Sequence, residues 1–163
     1  MAKARAIPRL RAEEPYASAA AKVVSVRARE LADHSQGVLD VSDIERLHDM
    51  RVASRRLRAA LEIFEPCFPR KSYRRALRHV KELADALGQR RDRDVTIQEL
   101  EGFAETLPAS DRAGVADLVS EIGAEQAQAN AALAPHLDTE RLGALGERLS
   151  ELVVEAQHTA AGR

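Results

Sequence analysis

The chain has 163 residues, 45% of them apolar, 31% charged and only 3% aromatic, with no tryptophan and a single cysteine. That size and apolar share suit one domain with one core, and the wealth of alanine, leucine, arginine and glutamate is the composition of packed helices, so an all-α fold is expected. Cys67 has no partner for an internal disulfide, no apolar signal stretch opens the chain, and charges interrupt every run before the roughly 20 apolar residues of a bilayer-spanning helix; a cytoplasmic protein without membrane partners is expected.

Residues 1–12 combine Lys3, Arg5, Arg9 and Arg11 with Pro8 and have no apolar period, which predicts a mobile basic tail ahead of a single helical domain over residues 13–160. Glu13, Glu14 and Pro15 suit a first helical turn and open an alanine-rich helix to about residue 36, stopped by Gly37. Ser42 and Glu45 have capping-box spacing and start a second helix over about 42–64, closed by Pro66. Pro66 and Pro69 bracket a turn into a third helix over about 71–87, with Gly88 as its left-handed cap. A fourth helix opens at Arg90 to Asp94 and runs to about Thr106; a fifth spans about 110–133, behind Ser110 and Asp111, and a sixth about 139–157. Six helices on short loops predict an antiparallel bundle.

The net charge of −1 conceals a separation along the chain. Residues 1–45 hold seven Lys/Arg and seven Asp/Glu, residues 46–98 hold fourteen against seven, and residues 99–163 four against twelve. At 100° per residue His48, Arg51, Arg55 and Arg58 share an arc of about 80°, beside a separate stripe of Leu47, Met50, Leu57, Leu61 and Phe64. Lys71, Arg74, Arg78 and Lys81 repeat the arrangement on helix three, beside Tyr73, Leu77, Val80, Leu83 and Leu87. A tight turn makes the two helices antiparallel neighbours, so their basic stripes are expected to form one groove, with Arg56 counted in the set.

Like charges at i,i+4, as in Arg51 with Arg55 and Arg74 with Arg78, cost a few tenths of a kcal/mol per pair. Either a bound anion or the acidic carboxy-terminal helices would offset them. Arginine's planar fork holds two phosphate oxygens and keeps its charge at any cellular pH, so a polyanion of phosphates is the expected ligand. With few aromatics to stack bases and no nucleic-acid-binding motif, RNA is the weaker candidate.

Five histidines, at 34, 48, 79, 136 and 158, show none of the common metal-binding spacings, and neither a metal nor a cofactor is expected. His48, among arginines, suits a neutral hydrogen-bond donor, and Cys67 a structural thiol. Asp92 and Asp94 read as first-turn acids of helix four that favour its dipole and could orient Arg91 or Arg55. They are also the only carboxylates placed to hold a metal beside the groove, so an enzyme acting on triphosphates is a second reading. A module that docks an acidic protein is a third.

The stretch His48-Asp-Met-Arg51-Val52-Ala-Ser-Arg55-Arg56-Leu57-Arg58, followed by Leu87-Gly88-Gln-Arg-Arg91-Asp92-Arg-Asp94-Val95, resembles the CHAD domain family, the conserved histidine α-helical domain. The resemblance implies a helical-bundle fold, binding of inorganic polyphosphate, association with polyphosphate granules, and no catalysis. By position it implies His48, Arg51, Arg55 and Arg58 as the first basic motif, Lys81 as the lysine of helix three and Arg91 as the arginine of the second motif. Arg56, Arg74 and Arg78 are added from the stripes. The family usually carries two similar halves, and no second H-x-x-R-V-like segment follows Val95. The chain therefore reads as a half domain, with a homodimer expected to supply the other half.

Overall fold

A computed structural model describes residues 3–161; Met1 and Ala2, the first two residues of the predicted tail, lie outside the described residues. The described chain is all-helical: α1 (Tyr16–Asp33), α2 (Ile44–Ile63), α3 (Arg70–Glu105), α4 (Arg112–Leu133) and α5 (Thr139–Ala161). The first half of α3 joins α1, α2 and α5 in a four-helix bundle, in which α2 lies between α1 and α3 while α5 packs on α1 and α3.

The apolar stripes read from the sequence are the ones that meet. Leu47, Met50, Leu57 and Leu61 of α2 pack with Tyr73, Val80, Leu83 and Leu87 of α3, with Ala20, Ala21, Val24 and Leu31 of α1 and with Leu145, Leu149 and Leu152 of α5. Alanine on α1 and α2 lets the backbones approach, so a core with few rings still fills. Helix α1 ends at Asp33, with His34 as its cap, so Gly37 is not its stop; its φ of +72° serves the turn that follows.

Two helix starts differ from the capping patterns. α2 begins at Ile44, and the Ser42 hydroxyl donates instead to Asp40 at 2.7 Å, so the Ser42–Glu45 capping box does not form. At α4 the Ser110 hydroxyl donates to Asp111, and no side chain caps the helix. Ahead of α1, the Arg5 amide donates to Glu30 at 2.5 Å and Lys22 donates to the Arg9 carbonyl at 2.7 Å, which lays this part of the chain along the helix.

The main departure lies at Gly88. It is not a cap: α3 runs unbroken through it, joining the predicted third and fourth helices into 36 residues, about 54 Å at 1.5 Å per residue. The reason is a buried pair just beyond it. Arg90, with no solvent exposure, donates through Nε to Asp94 Oδ1 at 2.9 Å and through Nη1 to Asn130 at 2.8 Å, while Gln126 donates to the same Asp94 oxygen at 2.6 Å. Arg90 Nη2 also lies 2.9 Å from Asp94 Oδ1, without hydrogen-bond geometry, and Asp94 Oδ2 has no hydrogen-bond partner among the described residues. Asn130 continues the network to the Leu39 carbonyl in the α1–α2 loop. Asp92 and Asp94 are thus mid-helix residues, with no helix start to favour, and Asp94 pairs with Arg90 instead of Arg91 or Arg55.

Beyond this knot, α3 and α4 form a two-helix hairpin. Of the 22 residues of α4 only Leu133 is buried, and Phe103 of α3 and Leu118 of α4 stand exposed.

At the α3–α5 interface Arg148 Nη1 lies 2.5 and 2.8 Å from the two ring nitrogens of His79. Burial, then the Arg148 charge, pushes the His79 imidazole below its ordinary pKa; burial and then Arg141 do the same to His136, with Glu82 opposing in both.

Two expectations follow. Asp94→Ala strands the buried Arg90 charge and lowers the unfolding free energy by about 3–5 kcal/mol, whereas replacing both partners by apolar residues restores most of it; urea unfolding measures both. Because folding lowers the two histidine pKa values, the unfolded chain takes up protons first, and stability present above about pH 6.5 declines as pH falls below it. Urea midpoints at pH 7.5 and 5.5 should differ in that sense, and less so in His79→Gln.

Candidate functional site: a basic face between α2 and α3

Helix α2 keeps Leu47, Met50, Leu57 and Leu61 inside, which leaves His48, Arg51, Arg55 and Arg58 on one outward arc. On α3, Ser72, His79 and Glu82 turn towards α5, where they meet Glu155, Arg148 and Arg141. Arg74, Arg78 and Lys81 are left on the outer side, next to α2.

Three contacts stitch the two helices along this face, the first through a carboxylate that α2 itself holds. At one end Arg58 Nε donates to Glu62 at 3.0 Å, and Lys81 Nζ lies 3.6 Å from the same carboxylate oxygen. The hydrogen bond from Arg58 holds the Glu62 carboxyl below its usual range against a smaller opposing effect of burial, and the charges of Arg58 and Lys81 add to the lowering. In the middle, the Arg51 guanidinium lies against the α3 backbone at Gly88: a Cβ there would stand 2.7 Å from Arg51 Nη1. At the far end Arg91 Nη1 donates to the Ile44 carbonyl at 3.5 Å.

Of the nine residues singled out in the sequence, eight lie on this face: His48, Arg51, Arg55 and Arg58 from α2, and Arg74, Arg78, Lys81 and Arg91 from α3. Arg56 is not brought to it. It points to the α1 side of α2, where its charge acts on the buried Glu30. Burial raises the Glu30 pKa, but hydrogen bonds from Arg5 and Arg27 and the charges of Arg27 and Arg56 outweigh it, and the carboxyl stays below its usual range. Arg56 is therefore one member of a charge cluster around Glu30.

The acidic helices do not cover this face. Helix α5 packs on α1 and α3 and α4 on α3, and neither takes α2 as a main neighbour. Among the described residues no carboxylate forms an ion pair with Arg51, Arg55, Arg74, Arg78 or Arg91. Asp85 and Asp92 share the outer side of α3 and interrupt its charge without reversing it. Arginine forks spaced by one helical turn, with accessible nitrogens and no fixed counter-ion, can take successive anionic groups bidentately.

Neither Gly88 nor Arg90 was singled out as a site residue, and both shape the site. Arg90 fixes the path of α3, and Gly88 clears the bed on which Arg51 lies. The available signal was the i,i+4 spacing of Arg90 and Asp94 within a run that otherwise reads as solvated charge. Among the described residues no group of three His, Cys, Asp or Glu side chains converges to hold a metal ion, and no helix is long and apolar enough to cross a membrane.

The family model described as CHAD domain matches residues 22–163, taking in α2 to α5 and much of α1, in agreement with the motif resemblance. No curated protein matches the chain.

Gly88→Ala separates helix propensity from this geometry. An alanine inside a helix is worth about 0.5–1 kcal/mol over glycine, and the clash it introduces falls on the movable tip of Arg51. The variant should unfold at equal or higher urea concentration, while the Arg51 Nε–Hε resonance shifts and loses protection.

Proposed function

The chain belongs to the CHAD domain family, and we propose that it is a binding module, without catalytic activity of its own, that holds inorganic polyphosphate along the α2–α3 face. One observation carries this reading: five arginines stand on an accessible face with no acidic partner among the described residues, although the chain as a whole has a net charge of −1. A fold that places twelve acidic residues in its last 65 positions and still leaves these guanidinium groups uncovered retains repulsion that a bound polyanion would remove. The family's association with polyphosphate and triphosphate ligands supports phosphate over carboxylate as the anion. Arginine's bidentate fit to phosphate supports it independently.

His48 takes the part of a hydrogen-bond donor at the Arg51 end, and Lys81 that of a point charge at the other. Arg56 has no direct part. The proposal extends to a granule-bound protein acting as a homodimer, in which a second copy adds cations to the same polyphosphate chain; exposed Phe103 and Leu118 on the α3–α4 hairpin supply apolar surface for such a contact.

Calorimetric titration with long-chain polyphosphate at several salt concentrations, with RNA and polyglutamate as competitors, tests the reading. Binding that prefers polyphosphate and weakens steeply with salt is expected. Arg51→Ala combined with Arg55→Ala and Lys81→Ala should lower affinity at least ten-fold with helicity unchanged, since surface substitutions seldom move stability by more than about 0.5 kcal/mol. Preference for polyglutamate would instead assign the face to an acidic protein partner. Light scattering with and without ligand reports the dimer.

A further inference from the structure

The basic face is not uniform, and its one fixed carboxylate sits at one end. Glu62 follows Arg58 by one helical turn and shares the arc of Arg51, Arg55 and Arg58. Its carboxylate accepts from Arg58 at 3.0 Å and faces Lys81 at 3.6 Å, one oxygen serving both cations. The three side chains are 40%, 44% and 42% exposed, so this is a solvent-facing clasp and not a buried knot. An anion that takes Arg58 and Lys81 must first release Glu62, and pairs exposed to this degree are weak enough to be displaced.

The other end carries Asp85 and Asp92 on α3, but neither forms an ion pair among the described residues. Arg51 and Arg91 make only neutral or backbone contacts, at Gly88 and at the Ile44 carbonyl, and Arg55 has no ion pair among the described residues. Eleven residues, about 16 Å along the helix, separate Arg51 from Glu62.

Resting on the polyphosphate reading, we propose that Glu62 is an internal counter-ion that makes the face discriminate by chain length. A short phosphate chain fills the open end at Arg51, Arg55 and Arg91 and gains nothing by displacing Glu62. A long chain, already anchored there, continues along the face and exchanges Glu62 for its own phosphates on Arg58 and Lys81. The carboxylate thus lowers the affinity of long chains and has little effect on short ones. Its removal uncovers a second pair of cations only to a ligand long enough to reach them.

The test compares wild type with Glu62→Gln, a near-isosteric change at an exposed position, using tripolyphosphate and long-chain polyphosphate as separate ligands under the same salt. Glu121→Gln, on the exposed side of α4, is the control for net charge. Glu62→Gln should tighten long-chain binding about three- to ten-fold and leave tripolyphosphate within about two-fold, with Glu121→Gln unchanged for both. An equal gain for both ligands, or the same gain from Glu121→Gln, would show only a change in overall field and overturn the proposal. No gain for either ligand, although wild type binds both, would place Glu62 outside the ligand path. If wild type binds neither ligand, the polyphosphate reading itself fails, and this inference with it.

Discussion

A guanidinium and a carboxylate buried together in a helix are costly unless hydrogen bonds satisfy them, and the Arg90–Asp94 pair obtains those bonds from α4 and, through Asn130, from the α1–α2 loop. This requirement fixes three things at once. It keeps α3 continuous where a glycine would have let it end, sets α4 alongside the second half of α3, and ties the loop ahead of α2 to the same point. With α3 and α2 both located, Gly88 comes to lie under Arg51, and the two basic stripes become one face. The site is thus built by a pair that does not itself reach solvent.

Charge is distributed by a similar economy. The acidic carboxy-terminal segment packs on α3 and α1 without taking α2 as a main neighbour, and its cross-links to the rest are exposed pairs such as Arg141–Glu82 and Arg93–Glu125, which add little stability. The near-neutral total charge therefore does not neutralise the face. Individual acids hold particular cations, as buried Glu30 does for Arg27 and Arg56 and exposed Glu62 for Arg58 and Lys81. The remaining arginines stay available.

Much of this was legible in the sequence because helical periodicity reports which way a side chain points. Leu47, Met50, Leu57 and Leu61 had to be inside, so His48, Arg51, Arg55 and Arg58 had to be out, and the same reasoning placed Arg74, Arg78 and Lys81. What was not legible depended on tertiary partners. Gly88 has the local look of a cap, and only the buried Arg90–Asp94 pair makes it an interior helix residue. Arg56 stands next to Arg55 in sequence but about 100° away around the helix, which turns it to α1 and Glu30. The Ser42–Glu45 box matched a pattern that the chain satisfies differently, through Asp40. Glu62 passed as one acid in a basic segment until Lys81 was seen to share it.

On the proposed reading, anions bind between α2 and α3 and not at the cations scattered elsewhere. Arginine Nε–Hε resonances followed during a polyphosphate titration test it residue by residue. Saturable shifts are expected at Arg51, Arg55 and Arg91, with Arg112, Arg141 and Arg148 unmoved. Shifts centred on the latter three, or spread evenly over all arginines, would contradict it.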